Sequence, residues 1–295
     1  MVCRDESNNP VDWYVVYKLP KVAQAVHPLV TGLGYAYLSS KSQSGWTLSD
    51  LDISSEKSIF GNTLHSLYTA KMDPGISFIN YTDGPPTGAN ESITAHANGV
   101  IATDDTLGYW LIHSIPKFAA QESGHKYVYP ESGEINGQTA LCITLNITEM
   151  DKVLTQMLYM QPDIYAMNIS TGLKSKSKTI GALSAREWSS GDKHVETIVS
   201  AGGVRFTSIS KTPDHHIELY AEIVAPVLNV SLLAETWGQG VDTQLPTLGA
   251  LTLNNTVENV QNISASYKHS NVMGRSRYPS KTGTGNKSGP PSWRP

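Results

Sequence analysis

Apolar positions along this chain come in short runs, each closed by turn residues. Trp13–Lys18 is aromatic and β-branched and stops at Leu19-Pro20, which predicts a buried strand. Gly34–Leu38 and Ile76–Asn80 read the same way. Gly99–Thr103, the polar stretch Asp104–Leu107 and Gly108–His113 predict a hairpin, and Leu141–Leu145 predicts another strand. Over Asn146–Gln161 the period changes to that of a helix, with Met150, Val153, Leu154, Met157 and Leu158 on one face. Asn146 and Glu149 look like its capping pair, and Pro162 ends it. Glu196–Val204 with Phe206 is strand-like, broken at Gly202-Gly203. Asp214–Val224 predicts a helix stopped by Pro226, Val227–Thr236 a strong strand and Leu248–Val260 a weaker one. From about Lys268 the chain is Gly, Ser, Pro, Lys and Arg with few apolar residues, the composition of a disordered tail. Helices interleaved with many strands make the body a mixed α/β protein.

At 295 residues and 39% hydrophobic, the chain suits one large domain or two closely packed halves. No apolar run is long enough to span a membrane, so no membrane partner is expected. Lys268, Arg275, Arg277, Lys281, Lys287 and Arg294 stand without any acid in 268–295, so the net charge of −4 divides into a tail at +6 and a body at −10. An acidic body is a poor match for nucleic acid at neutral pH. The nine histidines can change that balance in an acidic compartment.

Asn-x-Ser/Thr acceptors begin at Asn80, Asn90, Asn146, Asn168, Asn229, Asn254, Asn262 and Asn286, a density that leans toward the secretory route. Cys3 and Cys142 are then read as one bridge, with two unpaired structural thiols as the alternative. Met1-Val2 runs straight into the polar Cys3–Glu6, so the expectation is a secreted or lysosomal protein whose leader is not shown.

The common catalytic signatures are missing. Gly283–Ser288 only faintly resembles a phosphate loop, and the adjacent His215 and His216 would point apart on a helix or a strand, so no metal site and no cofactor are expected. The hairpin carries more. If Thr103 faces Gly108, Asn98 faces His113 and His96 lies just beyond, which brings two imidazoles and an amide to one sheet end. Paired imidazoles suit phosphoryl transfer, one attacking phosphorus and the other protonating the leaving oxygen. Two structural histidines at a strand end are the alternative.

Three blocks give this arrangement a context. Val11–Pro20 behind Cys3, Gly108–Phe118, and Tyr129-Pro130 followed by Gly137–Cys142 resemble the deoxyribonuclease II family. The resemblance covers roughly residues 3–265. It implies a phospholipase D-like α/β architecture in which two similar halves, each a mixed sheet flanked by helices, meet at one site. The halves would be 1–150 and a truncated 151–267, with the basic tail at 268–295. It also implies metal-independent cleavage of DNA at acid pH that leaves 3′-phosphates, and a bridge between Cys3 and Cys142.

The family's His-Thr-Lys-Gly falls on His96-Ala97-Asn98-Gly99, with an amide in place of the lysine. Losing a charged phosphate contact costs on the order of 10²–10³ in rate. The family's second motif, Asp-His-Ser-Lys-Trp, has as its nearest match Lys268-His269-Ser270-Asn271. Either His269 is a remnant of it or the motif is absent, and absence is favoured. By the same resemblance His96 and His113 are the candidate catalytic groups, with Asn98 and Lys18 as candidate substrate contacts, although Lys18 beside Pro20 reads mainly as structural. Two functions follow: a deoxyribonuclease II-like acid endonuclease acting on DNA, or an inactive secreted glycoprotein that keeps the fold to bind DNA or a host protein. A homodimer that supplies a missing group across its interface stays open, as does a tail that holds DNA by charge alone.

Overall fold

The computed structural model describes residues 1–23, 29–69, 73–84, 86, 95–119, 126–234, 257–259, 262–267 and 270–275. They fall into two compact units, Met1–His215 and His216–Pro295.

The first unit is built on one eight-stranded sheet. Its strands are β1 (Trp13–Lys18), β2 (Tyr35–Ser39), β3 (Thr47–Leu48), β4 (Ser77–Tyr81), β5 (Asn98–Thr103), β6 (Leu107–His113), β7 (Gln138–Asn146) and β8 (Ile164–Asn168). Their order is β3-β2-β1-β7-β6-β5-β4-β8, and every pairing is antiparallel. The mixed sheet expected from the resemblance is corrected here. A parallel pair needs a crossover between neighbours, whereas β1–β2, β4–β5, β5–β6 and β6–β7 follow each other in sequence and pair directly. Residues 150 and 151 lie inside the helix that leads from β7 to β8, within this unit.

Apolar side chains leave both faces of the sheet. Tyr14, Val16, Val100, Ala102, Tyr109 and Leu111 pack on one face against α1 (Ile59–Thr69) through Ile59, Phe60, Leu64 and Tyr68. On the other, Ile79, Ile101, Trp110, Ile143 and Leu145 meet Met150, Val153, Leu154 and Met157 of α2 (Ile147–Met160). That layer continues with α3 (Thr171–Lys176), α4 (Ile180–Ser184) and the antiparallel pair β9 (Lys193–Val199) and β10 (Arg205–Lys211). Covering on both faces explains why β5 is buried at every position.

Several expectations shift in detail. Asn146 precedes α2, but its side chain caps nothing; Glu149 instead accepts from Lys152 Nζ at 3.0 Å and from the Val199 N–H at 2.9 Å, tying α2 to β9. Helix α1 escapes the apolar pattern because buried Asn62 and Thr63 interrupt it; Asn62 Nδ2 donates to the Asp5 carbonyl at 2.8 Å and so anchors the N-terminal segment. Cys3 and Cys142 form a disulfide with Cα atoms 6.1 Å apart.

In the second unit the helix expected over 214–224 is a π-helical turn, Tyr220–Val224, that runs into α5 (Ala225–Leu228). Pro226 sits in the first turn of α5, where no N–H is needed, so it starts a helix where a stop was expected. Of the strand expected over 227–236, Val227 and Leu228 fall in α5, Leu232–Ala234 form β11, and 235–236 lie outside the described residues; β11 pairs in parallel with β12 (Val257–Asn259). Ala221, Ala225, Ala234 and Val257 form its small core. The tail expected to be disordered from Lys268 begins with a strand: β13 (Asn262–Tyr267) pairs with β14 (Ser270–Arg275), and 276–295 lie outside the described residues.

Candidate active site

The antiparallel order brings strand termini together at one end of the sheet. β1 ends at Lys18, β7 starts at Gln138, β6 ends at His113, β5 starts at Asn98 and β4 ends at Tyr81. The registers pair Lys18 with Gln138, His113 with both Ala140 and Asn98, and Tyr81 with Gly99. Alternation along each strand places Lys18, His113 and Asn98 on the α1 face, two residues beyond Val16, Leu111 and Val100 respectively. The hairpin register expected from sequence, with Asn98 opposite His113, is the one observed.

His96 stands at the rim with its side chain 39% exposed, and its Nδ1 lies 2.6 Å from the Asp83 carboxylate. That carboxylate holds the proton on Nδ1 and leaves the Nε2 lone pair for chemistry. Asp83 is held from behind. Its backbone N–H donates to Asn98 Oδ1 at 3.0 Å, and the Thr82 hydroxyl donates to the same oxygen at 2.6 Å. Asn98 is buried, so both bonds form away from bulk water, where leaving them unmade would be costly.

His113 is buried behind this rim, its ring edge-on to Phe118 with centroids 5.1 Å apart. Its Nδ1 accepts the Ile115 N–H at 3.2 Å, which fixes the neutral tautomer with the proton on Nε2. Among the described residues that Nε2 has no partner. Burial pushes the imidazole down to about 3, with the Asp83 carboxylate opposing the shift. His113 is thus a neutral donor across the range in which an exposed histidine would titrate.

Lys18 is fully buried and donates to the carbonyls of Gly32 at 3.0 Å and Glu134 at 2.7 Å. Burial pushes its ammonium down to about 7, against the pull of the Glu134 carboxylate. The geometry is that of a strut between two loops. Beside it, the Ser114 hydroxyl donates to Gln138 Oε1 at 2.6 Å.

Sequence reasoning brought His96, Asn98 and His113 together and missed Thr82 and Asp83. The signal for them was available: a polar Thr82-Asp83-Gly84 turn directly follows the strand expected over 76–80, and pairing that strand with Gly99–Thr103 carries Asp83 to His96. His269 lies outside the described residues, as do the acceptors Asn90, Asn254 and Asn286. Asn80 is buried in β4, so a glycan there would have to enter the core, and it leaves the set of accessible acceptors. Asn168 ends β8, half-buried, with its Nδ2 bonded to the Ile76 carbonyl at 2.7 Å, Asn262 begins β13, and Asn146 and Asn229 are exposed.

An imidazole oriented by a carboxylate at a sheet end, with a second imidazole behind it, defines a candidate hydrolase or transferase centre. Comparison with known proteins gives the family. The sequence profile of the deoxyribonuclease II family matches residues 2–282. Deoxyribonuclease-2-beta of Mus musculus is 33% identical over 270 residues, covering 90% of this chain and 74% of the relative. Deoxyribonuclease-2 of Caenorhabditis elegans is 28% identical over 272 residues, 82% of this chain and 72% of the relative. Plancitoxin-1 of Acanthaster planci is 30% identical over 247 residues, 81% of this chain and 67% of the relative. The chain belongs to the deoxyribonuclease II family.

Proposed function

We propose that the protein is a deoxyribonuclease II-type endonuclease that hydrolyses DNA phosphodiester bonds without a metal and leaves 3′-phosphates. The observation that carries this reading is the His96–Asp83 pair, in which the carboxylate on Nδ1 leaves Nε2 as the nitrogen suited to attack. In the first step Nε2 attacks phosphorus, the bond to the 5′-oxygen breaks, and that oxygen takes a proton to leave as a hydroxyl. In the second step water attacks the phosphohistidine, the N–P bond breaks, and the phosphate remains on the 3′ end. The Nε2–H of His113 is the described group best suited to hydrogen-bond a phosphate oxygen, while the leaving 5′-oxygen takes its proton from water at the rim. A bound phosphate would bring the negative charge this buried donor lacks and would raise its proton affinity. The phospholipase D-like assignment, in which a second half supplies a further histidine, belongs to the same proposal.

A second reading keeps the fold and loses the reaction. It is favoured by the neutral Asn98 at the motif's cation position and by Lys18, whose ammonium is turned to two backbone carbonyls. The protein would then be a secreted glycoprotein that binds without cutting. Both readings place it in a secretory or lysosomal setting, which the Cys3–Cys142 disulfide and the exposed acceptors Asn146 and Asn229 support. No helix of the described residues is long and apolar enough to cross a membrane.

Nicking of supercoiled plasmid at pH 5 in EDTA, beside His96→Ala, tests the proposal. Nicking that is abolished in the variant supports the endonuclease. A folded protein that leaves the plasmid intact supports the second reading.

A further inference from the structure

Position 98 ends the His96-Ala97-Asn98 triplet, where a direct contact to substrate phosphate would need a donor pointing outward. The interactions seen there run the other way. Asn98 Oδ1 accepts twice, from the Thr82 hydroxyl at 2.6 Å and from the Asp83 N–H at 3.0 Å, which uses both lone pairs of that oxygen. These bonds fix the Thr82 side chain and the Asp83 backbone, the two residues that follow β4, and Asp83 carries the carboxylate bonded to His96. Thr82 is itself buried, and its hydroxyl oxygen accepts the Gly84 N–H at 3.2 Å, so the turn is braced on both sides of Asp83.

A carboxylate that orients an imidazole works only if it cannot swing away. His96 is on the rim, the described contact that orients its ring is the bond to Asp83, and the Asp83 backbone is in turn bonded to the Asn98 carbonyl oxygen. A lysine at position 98 would have no acceptor to offer either donor.

We propose that Asn98 is a positioning residue: its side-chain carbonyl pins the Thr82-Asp83 turn so that Asp83 keeps His96 with Nδ1 protonated and Nε2 open. What position 98 supplies in this chain is therefore an acceptor rather than a cation. The inference rests on the reading of His96 as nucleophile for its consequence in catalysis, but its first readout does not depend on turnover.

That readout is the ring nitrogens of His96 in the full chain labelled with ¹⁵N-histidine, recorded at pH 8. The wild-type protein is expected to show a protonated Nδ1 and an unprotonated Nε2. Asp83→Ala and Asn98→Leu should both drive His96 to mixed tautomers, and Asp83→Glu should restore much of the wild-type pattern. In plasmid nicking, Asn98→Leu should lower kcat on the order of 10–100-fold while KM stays within about two-fold. Asn98→Lys, which adds a cation and removes the acceptor, should lower kcat as well. Wild-type nitrogen shifts in Asn98→Leu overturn the inference. So does a rise in kcat in Asn98→Lys, or a loss confined to KM. If Asn98→Leu does not fold, Thr82→Val, which removes one of the two donors, carries the same expectation. A wild-type protein that cannot nick defeats the nucleophile reading alone, because the tautomer measurement still decides what Asn98 does.

Discussion

Lys18 Nζ donates to the main-chain oxygen of Glu134 at 2.7 Å, joining the end of β1 to a loop 116 residues further on. The bond makes a buried cation part of the frame behind the site. Its pKa falls from 10.5 to about 7, so between those values the unfolded chain binds more protons than the folded one. Stability contributed at this position therefore rises as pH increases from 7 to 10.5, and the desolvation cost is fully present below 7. Lys18→Met is expected to destabilise the protein at pH 9 by about 2–3 kcal/mol more than at pH 6. Urea unfolding of both proteins at the two pH values checks this, and equal losses would refute it.

The same linkage acts in acid at His113. Its pKa falls from 6.5 in the unfolded chain to about 3 in the fold, so stability falls as pH drops through 6.5 and continues to fall to about 3. The cost is roughly 2 kcal/mol at pH 5 and approaches 4–5 kcal/mol near pH 3. His113→Gln removes the titration. Its melting temperature is expected to lie below wild type at pH 7 and to decline less steeply between pH 6.5 and 3.5, and parallel declines would show that burial does not hold this imidazole neutral.

Gly99 sits between the motif and the core. A Cβ there would collide with the Tyr81 ring, whose hydroxyl accepts the Trp110 indole N–H at 2.9 Å. Gly99→Ala is expected to lower stability by about 1–3 kcal/mol. It should also lower nicking, because moving Gly99 moves Asn98 and with it the turn that holds Asp83. Chemical denaturation and the plasmid assay measure the two effects separately; an unchanged unfolding midpoint would mean that Tyr81 gives way without cost.

Removing the disulfide tests the frame at its other edge. Closing a loop of 139 residues stabilises the fold by about 5 kcal/mol in the chain-entropy account. The double variant Cys3→Ser with Cys142→Ser should therefore melt well below wild type, and no change in melting would show that the β1–β7 pairing already supplies the constraint.

Much of this frame is legible in the sequence because it is local. The turn between β5 and β6 is short, with Asp104 Oδ1 accepting the N–H groups of Thr106 and Leu107, so the register that puts Asn98 opposite His113 follows from counting residues. Asp83 is different. It reaches His96 only because β4 pairs with β5: the polar turn after β4 is visible in the sequence, and the pairing that carries it to His96 is a tertiary event. Helix α1 was hidden by polar residues that face inward to hold the N-terminal segment, and Pro226 was misread because a proline in a first helical turn and one past a last turn look alike in sequence. The burial of Lys18 and of His113, which decides their protonation, depends on aromatic side chains and loops that only tertiary folding brings over them.

The bridge from Cys3 to Cys142 has a further effect in any compartment rich in proteases. A single cut anywhere between the two residues opens the backbone without separating the pieces. The fragment that begins at Met1 stays covalently joined to β7, and β1 remains laced to that strand from Trp13 to Lys18. The chain can therefore be nicked across most of the segment that carries His96, Asp83 and Asn98 and still be recovered as one molecule until it is reduced.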